Sequence, residues 1–597
     1  MRRTLKTPTR RHSNARDVTA RRERNRPMDF VSPIKTRSRL KWRGALAVAS
    51  GLAVLCARAP QALAAPPSAG SVLQQTTPPP VTLAPPGPVL SLPPNSAAQP
   101  LSSTVMLTVK QLVVVGSHLL PAALLEDLLA PARGQTMSLA ALQTYAALIT
   151  QAYHARGYPI AYAYLPPQSI SDGVVQIAVV EPKYDQIQVT GQSRLRESVV
   201  RHTVLAQPGA PITSATLDRS LLLLGQTPGL EVKGSLIPGA QPQTSTLVIE
   251  RHDLPVFTAD LSESNYGNRY TGTYLTNATV TASDPFGYGG SVAANGIVSQ
   301  TGGLKAGGFT LVSPNIWNGL RAGAYGSAVW YRLGGKFSSL QQVGREMQVG
   351  GDLIYPLILQ PGGQLNVRFD TIGNWLTEVT HSTHDLSRQM IVTEQLSVNG
   401  ALQDDWGGIT TANASLSHGQ LTITPDTAKA TDAGGPKAAG DYLIGQLRLG
   451  RSQNLPADFV LSVNANGQIS DKNLDSSQQF YIGGPYGVMS YQVGSGGGDE
   501  GYLFNANLAH VLPVPHLPGQ LSAEVLAQNG AVWTNHNVYS GFTGKNRVSE
   551  SGVGFGLDYT LWRISVNADY VFRVGKSSAP GSDNGGNQFW FQISSAF

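Results

Sequence analysis

The chain has 597 residues, 41% hydrophobic and 14% charged, with 64 glycines and a single cysteine, Cys56. Against the ~25% charged and ~7% glycine of an ordinary soluble protein, this excludes a helical bundle, a coiled coil and a disordered chain, and one cysteine excludes a disulfide scaffold or a multi-cysteine metal site. The formal charge of +7 sits at the start: residues 1–64 hold 16 Lys and Arg against Asp17, Glu23 and Asp29, leaving 28 basic and 34 acidic residues (net −6) in a body that offers phosphates no positive field.

Arg37 to Arg43 (RSRLKWR) is positive, Gly44 to Cys56 (GALAVASGLAVLC) is apolar, and Ala62-Leu63-Ala64 places small residues before a cleavage site. That order predicts a secretory signal peptide over 1–64, with Met28 as an alternative start. The apolar run of 13 residues is shorter than the ~20 a spanning helix needs. Leu55 before Cys56 argues against a lipid anchor. No later stretch approaches a spanning helix, so the exported chain either stays soluble or crosses a membrane as a closed barrel.

Residues 65–103 are rich in Pro, Ala and Ser and read as an extended linker. From Met106 the texture changes. MLTVKQLVVVGS alternates as a strand ending at Gly116, and LPAALLEDLLAPARGQ reads as a short helix. Ser138 is placed to cap a second helix, on which Leu139, Leu142, Ala146, Ile149 and Tyr153 step by three and four. Gly157 and Pro159 end it, and IAYAYLPPQSI and GVVQIAVVEP follow as strands. The order strand–helix–helix–strand–strand then recurs: YDQIQVTGQ, LRESVVRHTVLAQPGAPI, a helix led by Thr213, and the hairpin LEVKGSLIPG with TSTLVIERH. Two such units, 104–182 and 183–252, form a tandem array. In this order, and in opening strands that run into Gly (VVVG, QVTG), they resemble the POTRA domains of outer-membrane transport barrels.

After Pro255 the helical period gives way to alternation. In Phe459–Ser470, Phe459, Leu461, Val463, Ala465 and Ile469 share one face, and Ser462, Asn464, Asn466, Gln468 and Ser470 the other. In Arg563–Val574 the outer set is Ile564, Val566, Ala568, Tyr570, Phe572 and Val574, opposite Arg563, Ser565, Asn567, Asp569 and Arg573. Leu443, Leu447 and Leu449 alternate with Gln446 and Arg448. Two-faced runs of ~10–12 residues match tilted membrane strands rather than the 5–6 typical of a sandwich. Phe597 ends the apolar face of NQFWFQISSAF, resembling the signal by which outer-membrane barrels are recognised for assembly. Residues 253–597 are therefore expected to form an antiparallel barrel of about 16 strands in a Gram-negative outer membrane, at roughly 21 residues per strand with its connection.

Within the barrel the chain resembles the two-partner (type V) secretion transporters of the haemolysin-activator and filamentous-haemagglutinin-transporter type. The matching stretches are Ser327–Gly335 (SAVWYRLGG), Tyr355-Pro356-Leu357, Leu449–Gly467 and above all Lys472–Asn505. The last contains a long loop with an FxLGG…VRGY-like core and a following GDEG, which porins lack. The family pairs the Arg of that core with the Asp of a DxG element inside the barrel. Here the core is Gly483-Gly484 with Val488-Met489-Ser490-Tyr491, so Met489 stands at the Arg position. The second element maps to Gln528-Asn529-Gly530, with Gln528 at the Asp position. Losing both charges together avoids the ~3–5 kcal/mol cost of a lone buried charge. A Gln facing a Met sulfur predicts a loop held more loosely in the lumen.

The resemblance implies a translocator whose periplasmic modules capture an unfolded exoprotein, such as a large adhesin or haemolysin, along the edge of IAYAYLP, LEVKGSL or a neighbouring strand. The protein then leaves through the barrel without nucleotide hydrolysis or cofactor. Lumen-facing Arg448, Arg563, Asn567, Asp569 and Arg573 would line a wet wall. Other expected partners are outer-membrane lipid and the barrel-assembly machinery. The family often plugs the barrel with an N-terminal helix; residues 65–103 offer only SVLQQTT as a short turn, so none is expected here. The competing readings are an outer-membrane protein insertion factor and a passive diffusion porin.

No catalytic or metal motif emerges. GVGFGLDY (552–559) holds GxGxG inside an alternating strand and opens no helix, which excludes a dinucleotide site. Asp471-Lys-Asn-Leu-Asp475 begins like a calcium loop, but Ser476 replaces its turn Gly, so a solvated turn is expected. His381 and His384 fall in an exposed loop.

Overall fold

A computed structural model describes residues 66–76, 84–87, 90–91, 106–170, 172–575 and 586–597. The expected leader, with Cys56 and the cleavage site after Ala64, lies outside them.

The first α/β module runs from β2 (Met106–Thr108) to β6 (Val174–Val180), including β3 (Gln111–Val115), β4 (Thr136–Ser138) and β5 (Tyr162–Tyr164). The apolar run at its start is two strands: β2 pairs with β4, while β3 pairs in parallel with the central β6, which β5 flanks on the other side. Helices α2 (Ala122–Leu129) and α3 (Leu139–Ala155) cover one face, after α1 (Ala69–Leu73) earlier in the chain. Ser138 caps α3, its Oγ accepting from the Ala141 N–H at 3.3 Å, and Leu142, Ala146, Ile149 and Tyr153 are buried as their spacing requires. Gly116, φ +85°, turns the chain out of β3 with its Cα against the Val179 carbonyl, where a Cβ would lie 2.7 Å away. Glu181 then latches the module. It accepts from the Tyr153 hydroxyl at 2.6 Å and from the backbone N–H groups of His118 and Leu119 at 2.8 Å. Burial opposes its charge, but these donors outweigh burial and hold its carboxyl below the usual range.

The second module is a sheet of order β1 (Leu90–Ser91), β8 (Leu230–Pro238), β9 (Thr244–Asp253) and β7 (Lys183–Thr190), backed by α4 (Glu197–Thr203) and α5 (Ser214–Gly225). Thr213 caps α5, accepting from Thr216 N–H at 3.2 Å. This module is bolted to the barrel. Arg219 donates from Nε to Asn318 Oδ1 at 2.8 Å and from Nη2 to the Asn318 and Pro356 carbonyls at 3.0 and 2.8 Å. Leu222 and Leu223 of α5 pack on Leu359, and the Arg196 guanidinium lies 4.1 Å over the Tyr288 ring.

Sixteen antiparallel strands close the barrel. They begin with β10 (Phe257–Ser264), β11 (Leu275–Ser283), β12 (Ser291–Ser299), β13 (Leu304–Val312) and β14 (Arg321–Arg332). The tallest follow: β15 (Gln342–Gln360), β16 (Gly363–Thr380), β17 (Asp385–Gln403), β18 (Gly408–Thr424) and β19 (Gly440–Leu455). After β20 (Phe459–Ser470), a long loop carries β21 (Phe480–Tyr481) and β22 (Gly497–Gly498) before β23 (Glu500–Leu512), β24 (Gln520–Trp533), β25 (Arg547–Leu561), β26 (Ile564–Arg573) and β27 (Gln588–Ala596). β27 returns to pair with β10 along Asp260–Ser264. Alternation fixes the faces. Val349, Phe369, Leu416, Leu443, Leu447, Leu449, Val525, Phe555 and Phe572 are exposed on the outside, while Asn366, Asp370, Gln468, Glu550 and Asp569 are buried inside. Among the described residues no helix is long and apolar enough to cross a membrane.

Candidate functional site inside the barrel

The loop between β20 and β23 turns back into the lumen. Its base is the β21–β22 pair, and its tip is tightened by Val488 N–H donating to the Ile482 carbonyl at 2.6 Å and Gly484 N–H to the Tyr491 carbonyl at 3.2 Å. The two glycines serve close approach: a Cβ on Gly483 would lie 2.0 Å from Ser495 Oγ, and Gly484 has φ +106°. Val488, Met489, Ser490 and Tyr491 are all buried.

The wall grips this tip mostly by its backbone. Gln528 Oε1 accepts from the Met489 N–H at 2.7 Å, and Trp590 Nε1 donates to the Met489 carbonyl at 2.6 Å. The paired residues thus meet, but through the main chain; the Met489 side chain packs with Val493, Leu526, Val571 and Trp590. Gly530 leaves room for Ile482, whose Cβ would stand 3.1 Å from an added Cβ. Ser490 Oγ donates to the Ser551 carbonyl at 3.1 Å and Ser495 Oγ to Glu550 Oε1 at 2.8 Å, while the Arg573 guanidinium lies 4.3 Å over the Tyr491 ring. Trp590, Glu550 and Ser495 escaped the sequence reading. The parity that sends Phe589 and Phe591 outward does put Trp590 inside, and an aromatic on a wet face was the available signal.

A plug is present, contrary to the expectation drawn from residues 65–103. Ala69–Leu73 forms α1 and Gln74–Thr76 one further 3-10 turn, with Ala69, Val72 and Leu73 packed on the inward Leu275, Leu304, Val329, Tyr331 and Leu376. Helix and loop interlock. Ser68 Oγ lies 3.0 Å from Tyr481 Oη, Gln74 Nε2 donates to the Gly483 carbonyl at 3.2 Å, and Gln74 Oε1 accepts from Gly494 N–H at 2.8 Å. Gln75 Oε1 binds the wall through Asn268 N–H at 2.7 Å. Gly70 is pressed against the Ser476 carbonyl, where a Cβ would fall at 1.8 Å. A five-residue helix cannot form alone; the lumen supplies what its sequence lacks.

At the module-side rim the Pro86 carbonyl accepts from Gly362 N–H at 2.8 Å and the Ala84 carbonyl from Gln364 Nε2 at 2.8 Å. The chain then adds β1 in parallel to β8, Leu90 opposite Gly234 and Ser91 opposite Ser235. Of the expected edges, LEVKGSL (β8) therefore carries the linker, and in IAYAYLP the Ala163 N–H of β5 donates to Thr150 Oγ1 of α3 at 2.9 Å.

Two further expectations need correction. Arg563 lies in the exposed Trp562–Arg563 turn at the rim, because β25 and β26 reverse there, and so is not on the lumen wall. The segment Asp471–Asp475 is not a solvated turn: Asn473 and Leu474 are buried, and Asp475 caps a 3-10 turn at Ser477 N–H, 3.0 Å away, because the loop root descends into the lumen. Arg448 is exposed on the lumen side of β19. Asp569 is buried there beside Glu524, both crowding Gly556, and Asn567 donates from Nδ2 to Asp558 Oδ1 at 2.7 Å. Below the loop tip a cavity of about 210 Å³ is lined by Asn464, Tyr486, Asn507, Glu524 and Gln528. Phe597 is exposed, its N–H donating to the Ala259 carbonyl at 2.8 Å. His381 and His384 are exposed in the β16–β17 turn, and among the described residues no cluster of three or more His, Cys, Asp or Glu could hold a metal.

A 16-stranded outer-membrane barrel with α/β modules at one rim, and its own loop and helix inside, defines a transporter of the POTRA-plus-barrel class. The comparisons narrow this. Residues 107–182 match the family described as POTRA domain, ShlB-type. The chain is 26% identical over 471 residues to the heme/hemopexin transporter protein HuxB of Haemophilus influenzae, covering 78% of this chain and 82% of that protein. It is 23% identical to the outer membrane transporter CdiB of Dickeya dadantii, covering 71% of this chain and 78% of that protein. The fold is similar to that of CdiB from Escherichia coli, with TM-score 0.68, 17% identity and coverage of 85% of this chain and 92% of that one. CdiB from Acinetobacter baumannii is similar too, with TM-score 0.59, 14% identity and coverage of 83% and 91%. These likenesses to HuxB and CdiB support an outer-membrane transporter of the two-partner secretion type, and transporters of that type imply a secreted exoprotein as partner.

Proposed function

We propose that the exoprotein, a large adhesin or haemolysin-like chain, is captured as an extended strand on the β8 edge of the second module and threaded through the lumen once α1 has left it. The observation that carries this reading is β1: an extended segment of the chain already lies in parallel on that edge. Backbone pairing there requires no particular side chain, so a passing unfolded chain can take the same place. Because β1 and α1 belong to one linker, displacing the first slackens the tether of the second. The loop grip by Gln528, Trp590 and Gly530 keeps Gly483–Tyr491 at the wall while the channel is in use. Exposed Arg448 offers a hydrated stretch of the lumen wall, while Arg573, over the Tyr491 ring, helps hold the loop against it. A passive porin would gain nothing from a lumen filled by helix and loop.

The test is a disulfide between Ser91→Cys and Ser235→Cys, which are register partners on adjacent strands, whose ~4.8 Å spacing lies inside the ~4.4–6.8 Å Cα range of disulfides. Oxidised, the variant should stop releasing exoprotein to the medium, and reduction should restore release. Secretion at the parental rate with the bond intact would sink the proposal, as would normal secretion after deletion of residues 104–252.

A further inference from the structure

On the outside of the barrel, five directly paired residues form one row across five strands. Lys305 of β13 faces Trp330 of β14, which faces Arg345 of β15; Arg345 faces Thr377 of β16, and Thr377 faces Arg388 of β17. Arg332 lies two residues beyond Trp330 on the same face. All four cations are exposed, and among the described residues none pairs with a carboxylate. They rim a cleft of about 670 Å³ at the end of the barrel remote from the modules. The Arg345 guanidinium lies 5.9 Å over the exposed Trp330 ring.

The row's position gives it meaning. One step toward the modules, the outward residues are Met347, Trp375 and Met390, again directly paired, and Val349 and Val392 continue the apolar face. The cations therefore stand where the apolar belt ends on the cell-surface side, at the level of the outer-leaflet headgroups. Unpaired positive charges beside a hydrocarbon surface repel one another unless an anion joins them. At ~4.8 Å per strand the row spans about 19 Å, room for more than one phosphate. The outer leaflet of such a membrane is built of a glycolipid whose diglucosamine base carries phosphates and whose acyl chains would lie on Met347, Trp375 and Met390.

We propose that this row is a binding site for the phosphorylated headgroup of the outer-leaflet glycolipid. Guanidinium groups meet phosphate through charge-assisted, bidentate hydrogen bonds, Trp330 supplies an amphipathic floor, and the belt below receives the acyl chains.

The experiment uses the full chain purified from outer membranes, stripped of lipid, with chelator present so that divalent cations cannot bridge. Bisphosphorylated lipid A is titrated in mixed micelles and bound lipid is read by native mass spectrometry. The unaltered protein should retain bisphosphorylated lipid A at least about tenfold better than the dephosphorylated form, as charge-assisted contacts require. The variant Lys305→Gln, Arg332→Gln, Arg345→Gln, Arg388→Gln should lose that preference while keeping the gel mobility of a folded barrel. Equal retention of the two lipids by the unaltered protein would overturn the proposal even if the variant failed to fold. So would a folded variant that kept the preference, or phosphatidylglycerol competing equally well.

Discussion

Two sectors of the barrel hold together by different means. From β15 to β19 the strands are 16 to 19 residues long, and neighbouring ladders run nearly their full length, as Gln342–Gln360 does against Gly363–Thr380. From β10 to β13 they are 8 or 9 residues long, and β27 meets β10 only along Gln592–Ala596. The short sector is buttressed from within. α1 packs on β11, β13 and β14 and reaches Leu376 of β16, Gln75 and Val493 both bind Asn268 between β10 and β11, and the loop is tied further round to β24, β25, β26 and β27. The tall sector has the longer ladders of its own, whereas the short one draws a larger share of its packing from the lumen. Plug and loop are thus structural members as well as obstructions.

Removing the plug should separate the sectors most sharply. Gly70→Val puts a side chain into the Ser476 carbonyl, so α1 cannot seat, and single-channel conductance should rise to that of a chain lacking residues 66–76. Unchanged conductance would mean that α1 does not obstruct the lumen. Next, Met489→Arg alone places an unpaired charge in a closed pocket and should cost about 3–5 kcal/mol, read as a lower temperature for loss of the folded-barrel gel band. Adding Gln528→Asp should recover most of that loss, since the two positions already face each other. If the double variant melts with the single one, the pairing of the positions is wrong. Hydrogen exchange should then rank the ladders: amides of β10 and β27 exchange before those of β16 and β17, and the gap widens in Gly70→Val. Uniform protection around the barrel would erase the contrast.

The smallest effect lies outside the membrane. The carboxyl of Glu181 is held below its ordinary range, so its contribution is present above the ordinary Glu pKa of about 4.3 and is lost as pH falls through the depressed folded-state value. Acid should loosen the first module before the barrel, and Glu181→Gln should flatten that acid limb. Proteolysis between residues 106 and 180 across a pH series reads it out.

Several features were legible before any coordinates. Ser138 and Thr213 were visible as helix caps because a hydroxyl stood just ahead of an apolar three-and-four spacing. The outward set Leu443, Leu447, Leu449 and the inward Asp569 and Arg573 followed from parity alone, since a strand exposes its residues to alternate faces. The loop core Gly483–Tyr491 and its partner position Gln528 were found by resemblance. Others were hidden for local reasons. Ala69–Thr76 is too short to show a helical period, and Gly70 reads as a helix breaker until the Ser476 carbonyl explains it. Arg563 shares the parity of the lumen face, but parity does not say where a strand ends.

What the sequence alone determined is therefore everything periodic: the two repeated α/β orders, and the two-faced strands that must close once they lie in lipid, because free backbone amides cannot remain there. What tertiary structure alone decided is everything placed by distant contact. The linker strand on β8, the helix in the lumen and Trp590 on the Met489 carbonyl all depend on partners more than 100 residues away. Periodicity records a residue's nearest surroundings; a plug and its anchor are specified only when the closed wall brings their partners within hydrogen-bonding reach.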